Sequence, residues 1–555
     1  MKTVIKTEKF NAAYPELISR DKSISDWPVV YILNNDEEAY VGETVNMPNR
    51  AAQHYANPER QRLNTANVIK NDTFNKSVIL DLESYLIKYM SADGKFSLQN
   101  GNGGISNHDY YERKMYESQF DDIWEMLKKR GLASHTIDQI ENSDLFKYSP
   151  YKALSSDQYM TMLAILDNIT KDIKAGRKSA AIVTGSPGTG KTVLAVYILK
   201  LLVDNNVNGA LLPDSEDTPE EVVQRLEEIG NALRGLKVGL VIPMQALRET
   251  ITGVASSIRN LDGSMILKPT EVPDNHYDIL IVDEAHRLHR RKALSQYPKH
   301  DEINRKLGLG LEGTELQWIR KCSDYQILFY DSHQSVRPCD VSNDDFDDFL
   351  KESNTSRYVL DTQFRCQGGD EYIKYVGEIL SNDPPKSRKT FDGYDLKLFD
   401  DANEMIDSIK EKDKAFGLCR NVAGYAWEWL SKKDKTKHDF EFNQRMYYWN
   451  SKLVDWVNSK NAVNEIGCIH TIQGYDLNYV GVIIGKDIYL NPKTGKIEID
   501  KKNYFDQIGK TVGGDMDLLK RQILNVYYTL LTRGIRGTYV YVCDDELREY
   551  FRKYI

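Results

Sequence analysis

Cysteine pairs at metal-binding spacing are missing from this 555-residue chain. Its six cysteines, Cys322, Cys339, Cys366, Cys419, Cys468 and Cys543, all fall in the second half, and none forms a CxxC pair. That distribution argues against a disulfide framework and against a zinc site, and it suits a reducing cytoplasm. No apolar run approaches the roughly 20 residues that a bilayer span requires, so no membrane partner is expected. The opening stretch MKTVIKTEKFNAAYPEL has no apolar secretory core, and no signal peptide is expected there. Internal repeats and low-complexity tracts are absent as well. Nor is there an excess of basic residues: the net charge is −9 and the pI about 5.7. A protein that coats nucleic acid without sequence preference would be basic, so any such contact must come from local patches. One candidate is HRLHRRKALSQYPKH, His286–His300, whose other reading is a solvated loop.

What is present is ordinary for a globular protein: 41% hydrophobic and 28% charged residues. The length is too great for one core, and about three or four domains are expected. Residues 1–27 read as a polar lead-in. Residues 28–104 look compact and α/β, ending in the glycine-rich LQNGNGGIS. Residues 105–150 carry helical spacing and read as a connector. From about 151 onward, apolar runs such as SAAIVTG, VGLVIP, DILIVDE and YQILFYD alternate with helical segments. Such alternation implies parallel sheets with crossover helices. The acidic stretch Pro213–Glu228 reads as a surface excursion, and KAFGLCR, VGVIIG and TYVYVCD imply a second α/β unit. The expected boundary between the two units lies near 354/355, giving domains at 151–354 and 355–555.

The strongest signal is AAIVTGSPGTGKTVLAVYILKLL. An apolar strand runs into Gly185, Ser186, Pro187, Gly188, Thr189, Gly190, Lys191 and Thr192, then an amphipathic helix. This is a phosphate loop in its strand–loop–helix setting, with backbone N–H groups and a helix dipole turned toward a β-phosphate. Lys191 is expected on the β- and γ-phosphates of ATP and Thr192 on Mg²⁺. Downstream, DILIVDEAHRL ends a strand in Asp283 and Glu284. Asp283 is expected to hold the same Mg²⁺ through water, and Glu284 to orient and deprotonate the attacking water.

The DEAH after that strand, with further blocks in fixed order, resembles a superfamily 1 helicase core, and more closely the helicase-like domain of the Schlafen type. The resemblance spans about 150–545 and implies two RecA-like P-loop domains. PYKALSSDQ is similar to the adenine-reading segment, which makes Gln158 a candidate adenine contact, its other reading being a helix-start residue. VIPMQALRETI stands where the family touches the nucleic-acid backbone. FYDSHQSV supplies Asp331 and Gln334 at the γ-phosphate sensor, and LDTQFRC offers Arg365 as a first arginine finger. IGCIHTIQGYDLNYVGVIIG resembles the block that couples nucleotide to the second domain, centred on Gln473 and Gly474. NVYYTLLTRGIRGTYVYV offers Arg533 as a second finger, with Arg536 as the alternative. The region 386–415 does not resemble the extra domains of translocating helicases, so ATP hydrolysis is expected more firmly than strand separation.

Near the N-terminus, VVYILNNDEEAYVGET reads as a β-hairpin with strands Val29–Leu33 and Ala39–Val41. The following VNMPNRAAQHY puts Arg50 and His54 on one face of a helix starting near Pro48. VILDLESYLIKYM is a second amphipathic helix carrying Glu83, and Asn100 precedes a glycine turn. The ordered set resembles the GIY-YIG endonuclease domain, with Val29 standing at the first signature's glycine. The resemblance implies one further Mg²⁺ on Glu83, charge stabilisation by Arg50, and Tyr31 or His54 as the base. It also implies a positioning role for Tyr40 and a structural role for Asn100.

Together the two resemblances imply an α/β protein: a small GIY-YIG domain followed by two RecA-like P-loop domains with parallel sheets. They imply an ATP- and Mg²⁺-dependent, cytoplasmic DNA endonuclease fused to a helicase-like ATPase. RNA is the alternative substrate, and partner proteins or homo-oligomers remain open. Bacterial defence against phage DNA is the setting such an architecture suits, and DNA repair is its competitor. A second reading is an ATP-switched nucleic-acid-binding scaffold that does not cut.

Overall fold

Two short runs with β-favouring side chains, VVYILN and EAYVGET, organise the first sheet. In the computed structural model, which describes residues 3–100, 112–151, 154–208, 220–294, 296–331, 334–351, 354–360, 366–452, 456–472, 475–506, 510 and 515–555, they are strands β2 (Val29–Asn34) and β3 (Glu38–Thr44). With β1 (Val4–Lys9), β4 (Thr65–Lys70) and β5 (Ser97–Leu98) they form a sheet of order β1-β4-β2-β3-β5. All pairs are antiparallel except β3 with β5. The register sets Tyr31 opposite Gly42 and Leu33 opposite Tyr40, so the two tyrosines share one face.

The expected lead-in, residues 1–27, is part of this sheet rather than a polar preface. β1 covers the otherwise open edge of β4, which would present unpaired N–H and C=O groups. Behind it, Phe10, Tyr14, Ile18 and Ile24 are buried in the same core as Tyr31 and Tyr40. The helix Met47–Ala56 starts where Asn46 accepts a hydrogen bond from the Asn49 N–H, with Pro48 in the first turn. The helix Lys76–Asp93 is capped by Asn75 and stopped by Gly94 in the left-handed region at φ +69°. It packs on β2 and β3. Helices Arg113–Lys129, Ile137–Glu141 and Asp144–Lys147 follow.

Contacts divide the described chain into two units. The first comprises Met1–Gly176, Val193–Val238 and Ile251–Met265, and the second Arg177–Thr192, Gly239–Thr250 and Ile266–Ile555.

The second unit contains two parallel sheets. One has the order β11-β6-β10-β9-β7-β8, from β6 (Ser179–Gly185), β7 (Val238–Val241), β8 (Ile266–Leu267), β9 (Tyr277–Val282), β10 (Ser323–Tyr330) and β11 (Thr355–Leu360). β10 runs parallel to both β6 and β9, with Tyr330 beside Thr184 and Leu328 beside Val282. That register brings the carboxyl ends of β6, β9 and β10 to one edge, where open α/β sheets bind their ligands.

The other sheet has the order β12-β20-β17-β13-β16. Its strands are β12 (Asp395–Phe399), β13 (Arg420–Ala423), β16 (Ile466–Gly467), β17 (Leu477–Ile484) and β20 (Gly534–Val542), all paired parallel. Two hairpins, β14 (Phe440–Phe442) with β15 (Arg445–Tyr447) and β18 (Ile488–Asn491) with β19 (Lys496–Ile499), accompany it. Val480, Val482, Ile484, Val540 and Val542 bury against the helices Gly369–Leu380 and Met516–Leu531. Of the acidic stretch Pro213–Glu228, residues 213–219 lie outside the described residues and the rest begins the helix Glu220–Leu233. Among the described residues, no helix is long and apolar enough to cross a membrane.

Candidate functional site

The phosphate loop follows β6. Gly188 and Gly190 adopt φ values of +89° and +79°, a region that L side chains disfavour, and this turns the loop over the start of the helix Lys191–Asn208. A Cβ on Gly185 would lie 2.6 Å from the Thr189 hydroxyl, so the loop closes only with glycine there. Thr189 Oγ1 donates to Ser186 O at 3.0 Å. Lys191 Nζ donates to the carbonyls of Gly185 and Ser186 at 2.7 and 3.0 Å and lies 3.8 Å from Asp331 Oδ2. Its charge is therefore aimed into the loop. A cleft of about 730 Å³ opens beside Gly185 and Ser186, with Asp331, Arg357, Lys374 and Tyr528 on its walls. That volume is within the range of small-molecule sites.

At the end of β9, Asp283 and Glu284 are both buried. Glu284 takes φ +52°, an uncommon conformation for a side chain of its size, and the turn Ala285–Arg287 follows at once. Both carboxylate oxygens of Asp283 lack a hydrogen bond of good geometry, with the Thr192 hydroxyl and the Glu284 N–H the nearby donors. Burial, and then the Glu284 charge, push the Asp283 carboxyl well up; Thr192 and Lys191 oppose this more weakly. A divalent cation would remove that penalty, so the orphaned carboxylate beside a hydroxyl fits the Mg²⁺ that such a loop implies. Burial acts on Glu284 in the same direction, but His286, 2.8 Å away, together with Lys191 and Arg533, outweighs it and holds that carboxyl low.

At the end of β10, Gln334 Nε2 donates to Asp331 Oδ2 at 2.7 Å. Arg533, 1% exposed, donates through Nη2 to Gln334 Oε1 at 3.0 Å and through Nη1 to Tyr475 O at 3.4 Å. Arg536 instead lies over the Phe416 ring, 5.0 Å from its centroid, so of the two arginines it is Arg533 that reaches the Asp331–Gln334 pair. Arg365, Gln473 and Gly474 lie outside the described residues. Gln158 forms a capping box with Ser155, its carboxamide oxygen accepting from the Ser155 N–H at 3.1 Å. That is a helix-start role, and the pattern SSDQ carries its signature. Sequence reading passed over His286 as a partner of Glu284, although it is a letter of DEAH.

In the small sheet, Tyr31 OH and His54 Nε2 are 2.6 Å apart, and Arg50 Nε donates to the same hydroxyl at 3.3 Å. The Tyr40 ring packs against both, 6.3 Å from the Tyr31 ring and 4.8 Å from the His54 ring. Tyr31, Tyr40 and His54 are buried and Arg50 is half-buried. Gly42 makes the arrangement possible: a Cβ there would fall 2.3 Å from Tyr31 OH. Burial first, then Arg50 and Arg60, push the His54 imidazole down to about 3, so at neutral pH the ring is uncharged and shares a hydrogen bond with the Tyr31 hydroxyl. Arg60, which no sequence signal singled out, stacks 3.5 Å over the Tyr40 ring and donates to Gln99 Oε1. The Asn100 side-chain amide clasps the Val41 backbone, Oδ1 accepting from its N–H at 3.0 Å and Nδ2 donating to its carbonyl at 2.8 Å. Glu83 is half-buried on the helix Lys76–Asp93.

The stretch His286–His300 is buried at its two ends, at His286–Leu288 and His300, while residues 296–299 are exposed. His286, Arg287 and His300 are buried, and Arg287 pairs with Asp340 at 2.8 Å. Arg291 pairs with Asp301 and covers the Tyr297 ring. Part of the charge is thus absorbed within the fold, Arg287 by Asp340 from a distant segment and Arg291 by Asp301 close by, while Lys299 stays exposed.

Residues 178–544 match the Schlafen group 3 DNA/RNA helicase domain. An uncharacterized protein of Saccharomyces cerevisiae is 27% identical over 403 residues, 66% of this chain and 82% of its own length. Among solved structures, the helicase nonstructural protein 10 of an arterivirus, in complex with DNA, aligns at 12% identity and a TM-score of 0.28 over 70% of this chain. This chain spans 65% of that helicase, slightly under two thirds. A DEAD-box helicase bound to single-stranded RNA aligns at 10% identity and a TM-score of 0.26 over 73% of each chain. With more than half of its length matched to that one domain, the chain belongs to the Schlafen group 3 helicase-domain family.

Proposed function

We propose that this protein is an ATP-dependent nucleic-acid enzyme with two active centres, a helicase-like ATPase and a metal-dependent endonuclease of the GIY-YIG type. The observation that carries the ATPase half is the buried, unpartnered carboxylate of Asp283 beside Thr192, at the mouth of the phosphate loop. Lys191 binds the β- and γ-phosphates, while Thr192 and Asp283 hold Mg²⁺. The bound ion supplies charge neutralisation at the γ-phosphate. Glu284, held ionised by the cations around it, takes the proton of the attacking water. Arg533, reached through Gln334, adds positive charge where negative charge develops, an effect worth roughly 10³–10⁵ in rate. Arg365, Gln473 and Gly474 keep the roles the family resemblance implies.

For the nuclease half, support comes from the convergence of Arg50 and His54 on one tyrosine hydroxyl. A phosphodiester under attack gains negative charge, which Arg50 stabilises from its half-buried position. Tyr31 or His54, 2.6 Å apart, takes the proton of the attacking water; burial keeps the His54 ring uncharged and makes it by itself a weak base. Glu83 holds the metal of this centre. The substrate we propose is DNA, with RNA as the alternative. Phage defence and DNA repair use the same chemistry and are told apart by whether intact foreign DNA or branched and damaged DNA is cut faster.

ATP hydrolysis by the purified chain, measured with and without added DNA or RNA, tests the first half. Stimulation by nucleic acid, lost in Lys191→Ala, is expected. Hydrolysis unchanged in Lys191→Ala would remove this centre from the reaction.

A further inference from the structure

We infer that His289, Cys339 and Asp340 form a binding site for a thiophilic divalent cation, zinc by preference, which ties the segment after Glu284 to the segment after Gln334. One ligand atom from each residue lies within 4.8 Å of the others. Cys339 and Asp340 are 4% and 2% exposed, while half-buried His289 gives access from solvent. The main chain fixes the three. His289 and Asp340 face each other in an antiparallel bridge. On either side of it, Arg290 N–H donates to Cys339 O and Val341 N–H donates to Leu288 O, both at 2.7 Å.

The carboxylate of Asp340 is divided in its roles. Oδ2 accepts from Arg287 at 2.8 Å and from the N–H groups of Val336 and Arg337 at 3.0 and 2.9 Å. Oδ1 is buried with no hydrogen-bond partner. Leaving such an oxygen unsatisfied is unfavourable, and a cation would satisfy it. A second layer is also in place. Glu315 accepts from the His289 N–H at 2.8 Å, and its other oxygen lies 3.4 Å from Nδ1 of the same ring. A carboxylate behind a histidine is the arrangement that orients a metal-binding imidazole, here leaving Nε2 for the ion.

One thiolate, one imidazole and one carboxylate, with water completing a tetrahedron, suit zinc better than magnesium or calcium. Binding converts the Cys339 thiol to the thiolate and releases its proton to solvent. The dication is then balanced by the thiolate and by Asp340, and Arg287 keeps its own contact with Oδ2. Cysteine spacing argues against zinc only where ligands are near neighbours in sequence; these come from two loops that the parallel sheet brings together.

The test uses the full chain, stripped with chelator and held in excess Mg²⁺ without nucleotide. Cobalt(II) is added as the probe, and bound zinc is counted by mass spectrometry after zinc loading. One zinc per chain and a thiolate-to-cobalt charge-transfer band are expected. Cys339→Ser should lose the band and bind zinc at least about tenfold more weakly, and Glu315→Gln about 10–100-fold more weakly. Cys366→Ser, which changes another buried cysteine, should keep both signals. His289→Ala, at a half-buried position, gives a second reading should Cys339→Ser fail to fold, and it should lose zinc too. No cobalt band in the parent chain, or zinc retained in both Cys339→Ser and His289→Ala, would overturn the assignment.

Discussion

Arg533 donates to Gln334 Oε1 at 3.0 Å across 199 residues of sequence. Gln334 in turn donates to Asp331, whose Oδ2 lies 3.8 Å from Lys191 Nζ. Four side chains thus link the phosphate loop to an arginine at the start of the second parallel sheet. A γ-phosphate entering between Lys191 and Arg533 would compete for these contacts, so the same groups can report nucleotide and act on it.

Arg533→Ala should lower the kcat of ATP hydrolysis by roughly 10³-fold or more while nucleotide affinity changes little. Arg533→Lys should not restore it, because an ammonium cannot reproduce the planar fork that reaches both Gln334 and Tyr475 O. Steady-state hydrolysis and fluorescent-nucleotide binding decide the matter. Equal activity in Arg533→Ala would remove the finger role.

Asp283→Asn should separate stability from function. The native carboxylate is buried and without a well-made hydrogen bond, so its ionised form burdens the nucleotide-free fold. The amide should leave the melting temperature unchanged or higher in the absence of nucleotide. It should also abolish Mg²⁺-dependent hydrolysis. A large fall in melting temperature would mean that the side chain serves the fold rather than the ion.

Gly42→Ala should destabilise the small sheet by about 1–3 kcal/mol, since the new methyl would meet Tyr31 OH at 2.3 Å in a packed core. Tyr31→Phe should lose about 1–3 kcal/mol, since the hydroxyl contacts both His54 and Arg50, yet eliminate DNA cutting. Chemical denaturation and a cutting assay on the same samples separate packing from chemistry.

Two buried groups should tilt the stability curve in opposite directions. His54, near 6.5 when unfolded and about 3 when folded, takes up its proton first in the unfolded chain. Between pH 3 and 6.5 its contribution therefore rises with pH, by up to about 1.4 kcal/mol per pH unit. Asp487 is pushed up to about 7 by burial, from 3.8, so the folded state holds the proton and stability falls as pH rises from 3.8 to 7. Asp487→Asn should raise the melting temperature at pH 8 and leave it nearly unchanged at pH 4. Urea unfolding of the parent chain and of Asp487→Asn across pH gives the slopes.

Much of the nucleotide centre was legible because its parts are contiguous. GSPGTGKT and the DE pair each close a β-strand, and strand ends are where a parallel sheet gathers its ligands. The Arg533–Gln334 contact was legible only through the order of blocks, since no local pattern links residues in different sheets. The role of β1 was hidden because Val4–Lys9 carries three lysines or glutamates on an edge, which reads as solvated chain. The absorbed charges of His286–His300 and the grouping of His289 with Cys339 and Asp340 were invisible for the same reason. Their partners are supplied by chain reversals that hydrophobic periodicity does not encode.

Two centres acting in one chain is the property that a single cutting assay reads most directly. Plasmid DNA, Mg²⁺ and purified protein, with and without ATP, should give strand breaks for the parent chain. Breaks should vanish in Glu83→Ala and lose their response to ATP in Lys191→Ala. Breaks of equal yield in Glu83→Ala, or ATP hydrolysis with no cutting of DNA or RNA under any condition, would contradict it.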